Sequence, residues 1–502
     1  MLNIVLDNEV ILELLAINTN DVQHCYNRLL KSPIRFWIPV AALSLLETQI
    51  FPARHRPLAT LLENPNVQCL SSLGSHWQQI PAKQSKKAQA LVSLDAAKLP
   101  GETLIWTNDP NFVNLAPYIE FGDHETIYAL LAQYEDEPEF SNLAHQQLNL
   151  RNPLENRIFQ VLKHGHYMSG PEVKLLEKQL ADYLKVKYCV TMASGYDALL
   201  LSLVAVGVEA QDEVILSAFA PLSTAYCIGL LGAKPVFVDI ESHSYTLDPT
   251  LLAAAITSRT KAIVVTNCYG QCADFTTLNP IAAAHQLPII EDARSSFGAT
   301  HQQQRSGRLA TLSCCSFAPD KPLGAYSKAG ACFTDEEKLA NRLQALCCHG
   351  QLDSGSHHAL KGKNSQLDSL QAGILLAKLS LFPKEVNLRM KIGELYTQLL
   401  QGKVTTPQIA TQNTHVFHRY TVEVENRTQV REKLHKLGIT THVDYPVPLP
   451  LQPIFQSLGA QWGQFPVAEA ASQRVLNLPM HPALTKPLIQ QVARKLLLAM
   501  KN

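Results

Sequence analysis

The sequence predicts an α/β protein whose middle is an open, largely parallel sheet covered by helices on both faces. Short β-rich runs at YCVTM, EVILSAF, PVFVDI, AIVVTNCYG and PIIEDA alternate with helix-like segments. Ser194-Gly195, Phe219 and Asp292 fall where three of these runs end, the edge at which such sheets gather ligands. At 502 residues the chain is too long for one ordinary core, so two or three domains are expected.

Residues 1–120 mix strand-like runs (NIVLD, RFWIPV, TLIWTND) with helix-like VILELLA, predicting a small α/β domain. Across 121–150 the pattern weakens into GDHETIYALLAQYEDEPEFSN, an acidic stretch without an apolar stripe, which reads as a connecting segment. A large domain is expected over 151–385. Near its start, SGPEVKLLEKQLADYL places Pro171 in a first helical turn and sets Val173, Leu176, Leu180 and Leu184 on one stripe. Residues 386–502, which include RYTVEVENRTQVREKLHKLGITTHVDYPVPLPLQP and close with a helical tail, predict a smaller α+β unit.

Lysine plus arginine equals aspartate plus glutamate, at 43 each. No whole-chain field therefore attracts nucleic acid or an anionic membrane, and a small-molecule or protein partner is expected. The eleven cysteines lie mostly in apolar runs such as LSCCSF and ALCCHG, and the N-terminus lacks the basic flank of a secretory signal, which together predict a reducing cytoplasm. Cys268 and Cys272 in CYGQC have no second Cys/His pair at zinc spacing and read as buried thiols. No apolar stretch approaches the ~18 residues of a membrane span.

Two segments carry chemistry. PIIEDARSSFGA (288–299) sets Asp292 at a strand end, and SFAPDKPLGAY (316–326) sets Lys321 in a loop. An aldehyde cofactor needs an amine to hold it as a Schiff base, and its ring is an electron sink only while the pyridine nitrogen stays protonated beside an anion. Lys321 and Asp292 supply those parts, so the pair reads as a pyridoxal 5'-phosphate (PLP) site.

In order, GPEVKLLEKQLADYL, GAKPVFVDI, AAITSRTKAIVV, YGQCADF, IEDARSSFGA, SFAPDKPLGAY, NSQLDSLQAGILLAKL and LPMHP resemble signature stretches of the DegT/StrS family of PLP-dependent sugar aminotransferases. The resemblance covers about two thirds of the chain and is nearest to enzymes that aminate the 3-keto group of UDP-linked hexuronic acids. It implies the type I aminotransferase fold and transfer of an amino group, from glutamate, to a nucleotide-linked ketosugar for surface polysaccharide. It further implies Lys321 as the covalent anchor and proton shuttle, Asp292 at the ring nitrogen, and Ser194, Gly195, Tyr196, Ser295 and Ser316 around the cofactor. Asn364 is implied to reach the phosphate of a partner subunit, so a homodimer with shared active sites is expected. Gln366 and Tyr445 are implied at the substrate. A related branch carries histidine in place of the lysine and dehydrates; the lysine here implies amino transfer. His357 and His358 match no role and read as surface residues.

Several positions depart from the family. Tyr196 stands where threonine usually follows the glycine, Pro221 where an aromatic stacks on the ring, Ser295 where glutamine or histidine is usual, and Asp320 where serine or threonine precedes the lysine. Asp320 beside Lys321 would tend to keep the amine protonated in a dry site, opposing nucleophilic attack. Gln366 replaces an arginine that could clamp an anionic sugar, Lys328 falls where an aspartate is usual, and Asp444 where histidine is common. These changes define an alternative, a region that keeps the fold but binds sugar or regulates.

The first 120 residues resemble a PIN nuclease domain, with Asp7, Glu47 and Asp109 as weak candidate metal ligands. The position of a further aspartate looks like Gln89, with Asp95 nearby. A metal-dependent ribonuclease carrying an aminotransferase-like sensor is thus a second alternative. The balanced charge of that region favours a recognition or dimerisation module instead.

Overall fold

The computed structural model describes residues 3–6, 35–39, 67–70, 103–106, 120–122, 138, 140, 143–351 and 360–501. The chain forms two compact units, Met1–Glu137 and Pro138–Asn502. In the first, β1 (Asn3–Leu6), β2 (Arg35–Pro39), β3 (Val67–Leu70), β4 (Thr103–Trp106) and β5 (Glu120–Gly122) form one sheet in the order β3-β2-β1-β4-β5, every pairing parallel. Three of these strands, NIVL, RFWIP and TLIW, fall within the runs NIVLD, RFWIPV and TLIWTND. Asp7, Glu47, Gln89, Asp95 and Asp109 lie outside the described residues, as do His357 and His358.

The second unit opens with helix α1 (Leu143–His164), whose start lies inside the stretch 121–150. Its buried Leu150, Leu154 and Val161 are spaced among Gln, Asn and Arg residues, which is why its stripe is faint in the sequence. Helix α2 (Pro171–Leu184) starts at Pro171 and buries Leu176, Leu180 and Leu184. It leads to β6 (Tyr188–Met192), helix α3 (Gly195–Ala205) and β7 (Glu213–Ser217). Next come helix α4 (Leu222–Leu230), β8 (Lys234–Val238), helix α5 (Pro249–Ala255), β9 (Thr260–Thr266), helix α6 (Phe275–Ala284) and β10 (Ile289–Asp292). A hairpin, β11 (Thr300–His301) and β12 (Gln304–Arg305), precedes β13 (Leu312–Ser316) and β14 (Gly330–Thr334).

Seven of these strands form one sheet, β6-β14-β13-β10-β9-β7-β8. It is parallel except for β14, which runs against both β13 and β6. The predicted largely parallel sheet is therefore present, with one reversed strand. Side chains alternate across it: Ile215, Ile263 and Val265 join α2 in one core, whereas Val214, Leu216 and Val264 join Leu199 and Leu203 of α3 in another. Because both faces are covered, β7 is buried throughout, and its centre, Val214, Ile215 and Leu216, is apolar on both faces.

Helix α7 (Glu337–Cys347) precedes the 32-residue helix α8 (Ser369–Leu400). Ala372, Leu375, Leu379 and Phe382 of α8 belong to the large core, while Ile392, Tyr396 and Leu400 belong to a smaller one, so the helix runs through residue 385 and changes partners there. That smaller core lies under β15 (Tyr420–Glu423) and β16 (Val475–Leu478), an antiparallel pair, with helices α9 (Arg427–Lys436) and α11 (Lys486–Ala499); α10 (Pro466–Arg474) precedes β16. Among the described residues no helix is long and apolar enough to cross a membrane. Cys268 and Cys272 are both buried, free thiols.

One buried group links this region to pH. His415 is 4% exposed, and its Nδ1 accepts from the Phe417 amide at 2.9 Å. Burial pushes the imidazole from 6.5 down to about 3, so the unfolded chain takes up a proton that the folded chain refuses. Stability from the neutral ring is full above 6.5 and is lost as pH falls from there toward 3. At about pH 5 the loss amounts to roughly 2 kcal/mol. His415→Gln is expected to flatten this acid limb, measured by urea melts between about pH 7 and 5; an unchanged slope would show that His415 protonates in the folded chain.

Candidate active site

β6 ends at Met192, and the chain turns through Ala193 into α3. Ser194 caps the helix in extended conformation (φ −159°), its Oγ accepting from the Asp197 amide at 3.0 Å. This helix start is pressed onto the ends of β13 and β14. A Cβ on Gly195 would lie 2.3 Å from Ser316 Cβ, and one on Gly330 would lie 2.5 Å from the Ser194 carbonyl. Only glycine fits at either point. The α3 amides thus open on a cavity of about 650 Å³, within the ~300–1,000 Å³ of small-molecule sites.

Lys321 enters the same cavity from the loop after β13. The loop is folded tightly: Lys321 N donates to Ala318 O at 2.9 Å and Ala325 N to Phe317 O at 2.8 Å. The Lys321 side chain is 16% exposed, and Nζ donates to Asp320 Oδ2 at 2.8 Å. Arg419 Nη2 reaches the same oxygen at 3.2 Å, and His418 Nε2 lies 3.1 Å from the Asp320 carbonyl. Burial alone would raise the Asp320 carboxyl, but the His418 ring and the Lys321 ammonium outweigh it and hold it far below the usual carboxylate range. Burial, with Arg419 and Lys321 beside it, pushes His418 down to about 3, so its ring is neutral.

Asp292, the last residue of β10, is fully buried and does not line the cavity. Arg294 covers it. Arg294 Nε donates to Asp292 Oδ1 at 2.8 Å, Nη1 donates to Ser223 Oγ at 2.8 Å, and Nη2 is buried without a hydrogen-bond partner. Desolvation works against the guanidinium charge, but the Asp292 carboxylate outweighs it and keeps Arg294 cationic.

Tyr269 and Tyr445 line the cavity and are backed by the buried Phe219 and Tyr245, with Phe219 and Tyr445 edge to face at 4.9 Å. The Tyr269 hydroxyl is also buried without a partner. On the α3 side, Lys363 forms an ion pair with Asp197, whose other oxygen accepts from Ser365 Oγ at 2.8 Å. The negative charge in the first turn of α3 is thereby neutralised. Five lysine or arginine side chains and three aspartates line the cavity, which favours an anionic ligand.

Of the residues singled out in the sequence, Ser194, Gly195, Tyr196, Ser295, Ser316, Lys321 and Tyr445 line this cavity, together with Pro221, Asp320, Lys328 and Asp444. Asn364 and Gln366 do not. Asn364 is exposed and bridges to Cys348, and Gln366 Nε2 donates to Cys348 Sγ at 2.8 Å. Sequence reasoning missed Arg294, Lys363, Arg419, His418 and Tyr269. Arg294 stood inside PIIEDARSSFGA, Tyr269 inside YGQCADF and Arg419 at the start of RYTVEVEN, so the signals were an arginine two places after the strand-end acid and a tyrosine and an arginine within matched or neighbouring runs.

A lysine and a helix N-terminus meeting at the carboxyl edge of a mostly parallel sheet, on this strand order, define an α/β enzyme of the aminotransferase type. The chain belongs to the DegT/DnrJ/EryC1/StrS aminotransferase family, matched over residues 149–497. It is 46% identical over 347 residues, 69% of this chain and 96% of the relative, to the UDP-2-acetamido-2-deoxy-3-oxo-D-glucuronate aminotransferase of Pseudomonas aeruginosa. Among solved structures it is similar to a DegT/DnrJ/EryC1/StrS aminotransferase from Brucella abortus (33% identity, TM-score 0.71, 72% of this chain and 100% of that one). It is also similar to NtdA from Bacillus subtilis with bound cofactor PMP (30% identity, TM-score 0.66, 70% of this chain and 82% of that one).

Proposed function

We propose that this chain uses PLP to transfer an amino group, from glutamate, to the ketone of a UDP-linked sugar. Supporting this are the family membership, the UDP-3-oxo-sugar named for the Pseudomonas relative and the PMP held by NtdA. The observation that carries it is that Lys321 and the α3 N-terminus open on one cavity.

The phosphate end fits. Ser194 Oγ accepts from an amide and so keeps its proton to donate, the first α3 amides point into the cavity, and Ser316 adds a second hydroxyl. With Asp197 neutralised by Lys363, a phosphate meets no uncompensated charge there. Lys321 fits the aldehyde end once it leaves Asp320, which keeps Arg419 as partner. The departures lie at the ring: Pro221 offers no aromatic stack, and Asp292 is covered.

When bound, PLP supplies an electron sink beside the carbon that loses or gains a proton. Lys321, released from Asp320, would carry that proton on Nζ. Asp320, which Arg419 also holds, would receive and release the Lys321 ammonium as it moves, and Tyr269 and Tyr445, which line the cavity, would keep water from the reacting face. The exposed Asn364, which does not line its own cavity, together with the exposed Phe159, Leu162, Tyr167 and Met168, supports a homodimer in which each chain completes its partner's site.

A second reading rests on the same site. Lys321 and Asp292 are each engaged by another side chain, Asp320 and Arg294, which favours a sugar-binding or regulatory protein that keeps the fold without turnover. One titration separates the two. Protein loaded with PLP is expected to absorb near ~420 nm and to lose that band when glutamate converts the cofactor to its amine form. Protein that retains PLP but ignores glutamate supports the second reading, and protein that never takes up PLP removes the first.

A further inference from the structure

Phe140 stands in the acidic stretch that the sequence marks as a connection, at the start of the second unit, Pro138–Asn502. It is half-buried. Its carbonyl accepts from the amide of Met480, just past β16, at 3.4 Å, and its ring lies 5.8 Å from that of His442. The same ring covers Arg419, whose guanidinium carbon stands over it at 5.1 Å from the centroid.

Arg419 gathers the charges behind Lys321. Its Nη2 donates to Asp320 Oδ2 at 3.2 Å, its Nε lies 3.5 Å from Asp444 Oδ2 and is buried without a hydrogen-bond partner, and its amide donates to Tyr269 O at 3.1 Å. Lys321 Nζ donates to that same Asp320 oxygen at 2.8 Å. The carboxylates thus hold the edge of the guanidinium, and the Phe140 ring holds its face.

We infer that Phe140 is a positioning residue for Lys321: its ring keeps Arg419 on Asp320, so that Asp320 gives up the lysine ammonium without being left unpaired. A cation over a ring face is attracted by the ring's quadrupole, and an apolar ring that keeps water off a guanidinium strengthens its pull on a carboxylate. The stronger that pull, the less of Asp320 is left to hold the lysine. The consequence for catalysis rests on the PLP reading above, whereas the hold on Lys321 needs no cofactor.

The test is the rate at which acetic anhydride acetylates Lys321 in full-length, cofactor-free protein, read by peptide mass spectrometry with the remaining lysines as internal standards. The amine reacts only when released from Asp320, so a tighter ion pair slows the label. Phe140→Leu and Phe140→Met keep apolar bulk without a ring face and are expected to slow it by about two- to fivefold, the fold-change of a cation–ring contact. Phe140→Tyr keeps the face and is expected to match wild type. In an Arg419→Gln background, where no cation remains to be covered, Phe140→Leu is expected to add nothing. Circular dichroism checks each fold, and the leucine and methionine variants stand in for one another. Leucine and methionine variants labelled at the wild-type rate, a tyrosine variant as slow as they are, or a leucine effect that persists in the Arg419→Gln background overturns the inference. Wild-type protein that takes up no PLP removes the PLP reading alone, and the labelling rates still decide the positioning role.

Discussion

Lys321→Ala is expected to abolish amino transfer, lowering the single-turnover rate with glutamate by about 10³-fold or more, while the chain stays folded. Lys321 Nζ sits at the cavity wall, 16% exposed, and no other lysine there can replace it. Lys363 is committed to Asp197, and Lys328 is exposed on the loop before β14. Removing the lysine leaves Asp320 with Arg419 Nη2 at 3.2 Å and with solvent, since its side chain is 45% exposed, so the lost ion pair costs at most about 1 kcal/mol. Lys321→Arg separates the roles further: it keeps a cation beside Asp320 but offers neither a nucleophile nor a removable proton, and it is expected to be as inactive as alanine. Stopped-flow absorbance after mixing with glutamate reads the rate, and a urea melt reads the fold. Activity of the alanine variant within about tenfold of wild type would move the reacting amine elsewhere.

Glu291→Ala is expected to cost about 4 kcal/mol of stability or more, the largest fold effect near the site. The carboxylate is fully buried, one position before Asp292, and points to the opposite face of β10. Its Oε1 accepts from Ser306 Oγ at 2.7 Å, Asn267 Nδ2 at 2.9 Å and Gly307 N at 2.9 Å; Oε2 accepts from Ser313 Oγ at 2.8 Å and Leu309 N at 3.0 Å. Five donors from three segments lose their acceptor at once. Glu291→Gln keeps one oxygen for three of them but turns an amide toward Leu309 N and Ser313, so an intermediate loss is expected. The urea midpoints rank the three chains, and an alanine variant that melts with wild type would mean that water enters and satisfies the stranded donors.

These two neighbours show how far a linear reading reaches. In PIIEDARSSFGA the sequence points at an acid on a strand end, and the strand is there, ending at Asp292. Which of Glu291 and Asp292 serves the fold follows from which face each side chain takes, and that is legible from period two only once the sheet's two cores are known. The glycines are similar. Gly195 and Gly330 are ordinary letters until β13, β14 and the start of α3 are brought within a Cβ of one another.

The sequence by itself determined the alternation that builds a parallel sheet, the helix begun by Pro171, the turn at Ser194-Gly195 and the loop holding Lys321, because each depends on residues within a few positions of one another. Tertiary structure alone decided who pairs with whom in the cavity: Arg419 reaches Asp320 across 99 positions and Lys363 reaches Asp197 across 166. Even Arg294, two residues from Asp292, is committed by Ser223, 71 positions away. A side chain's direction is set by the partners that folding brings to it, and local propensity carries no information about those.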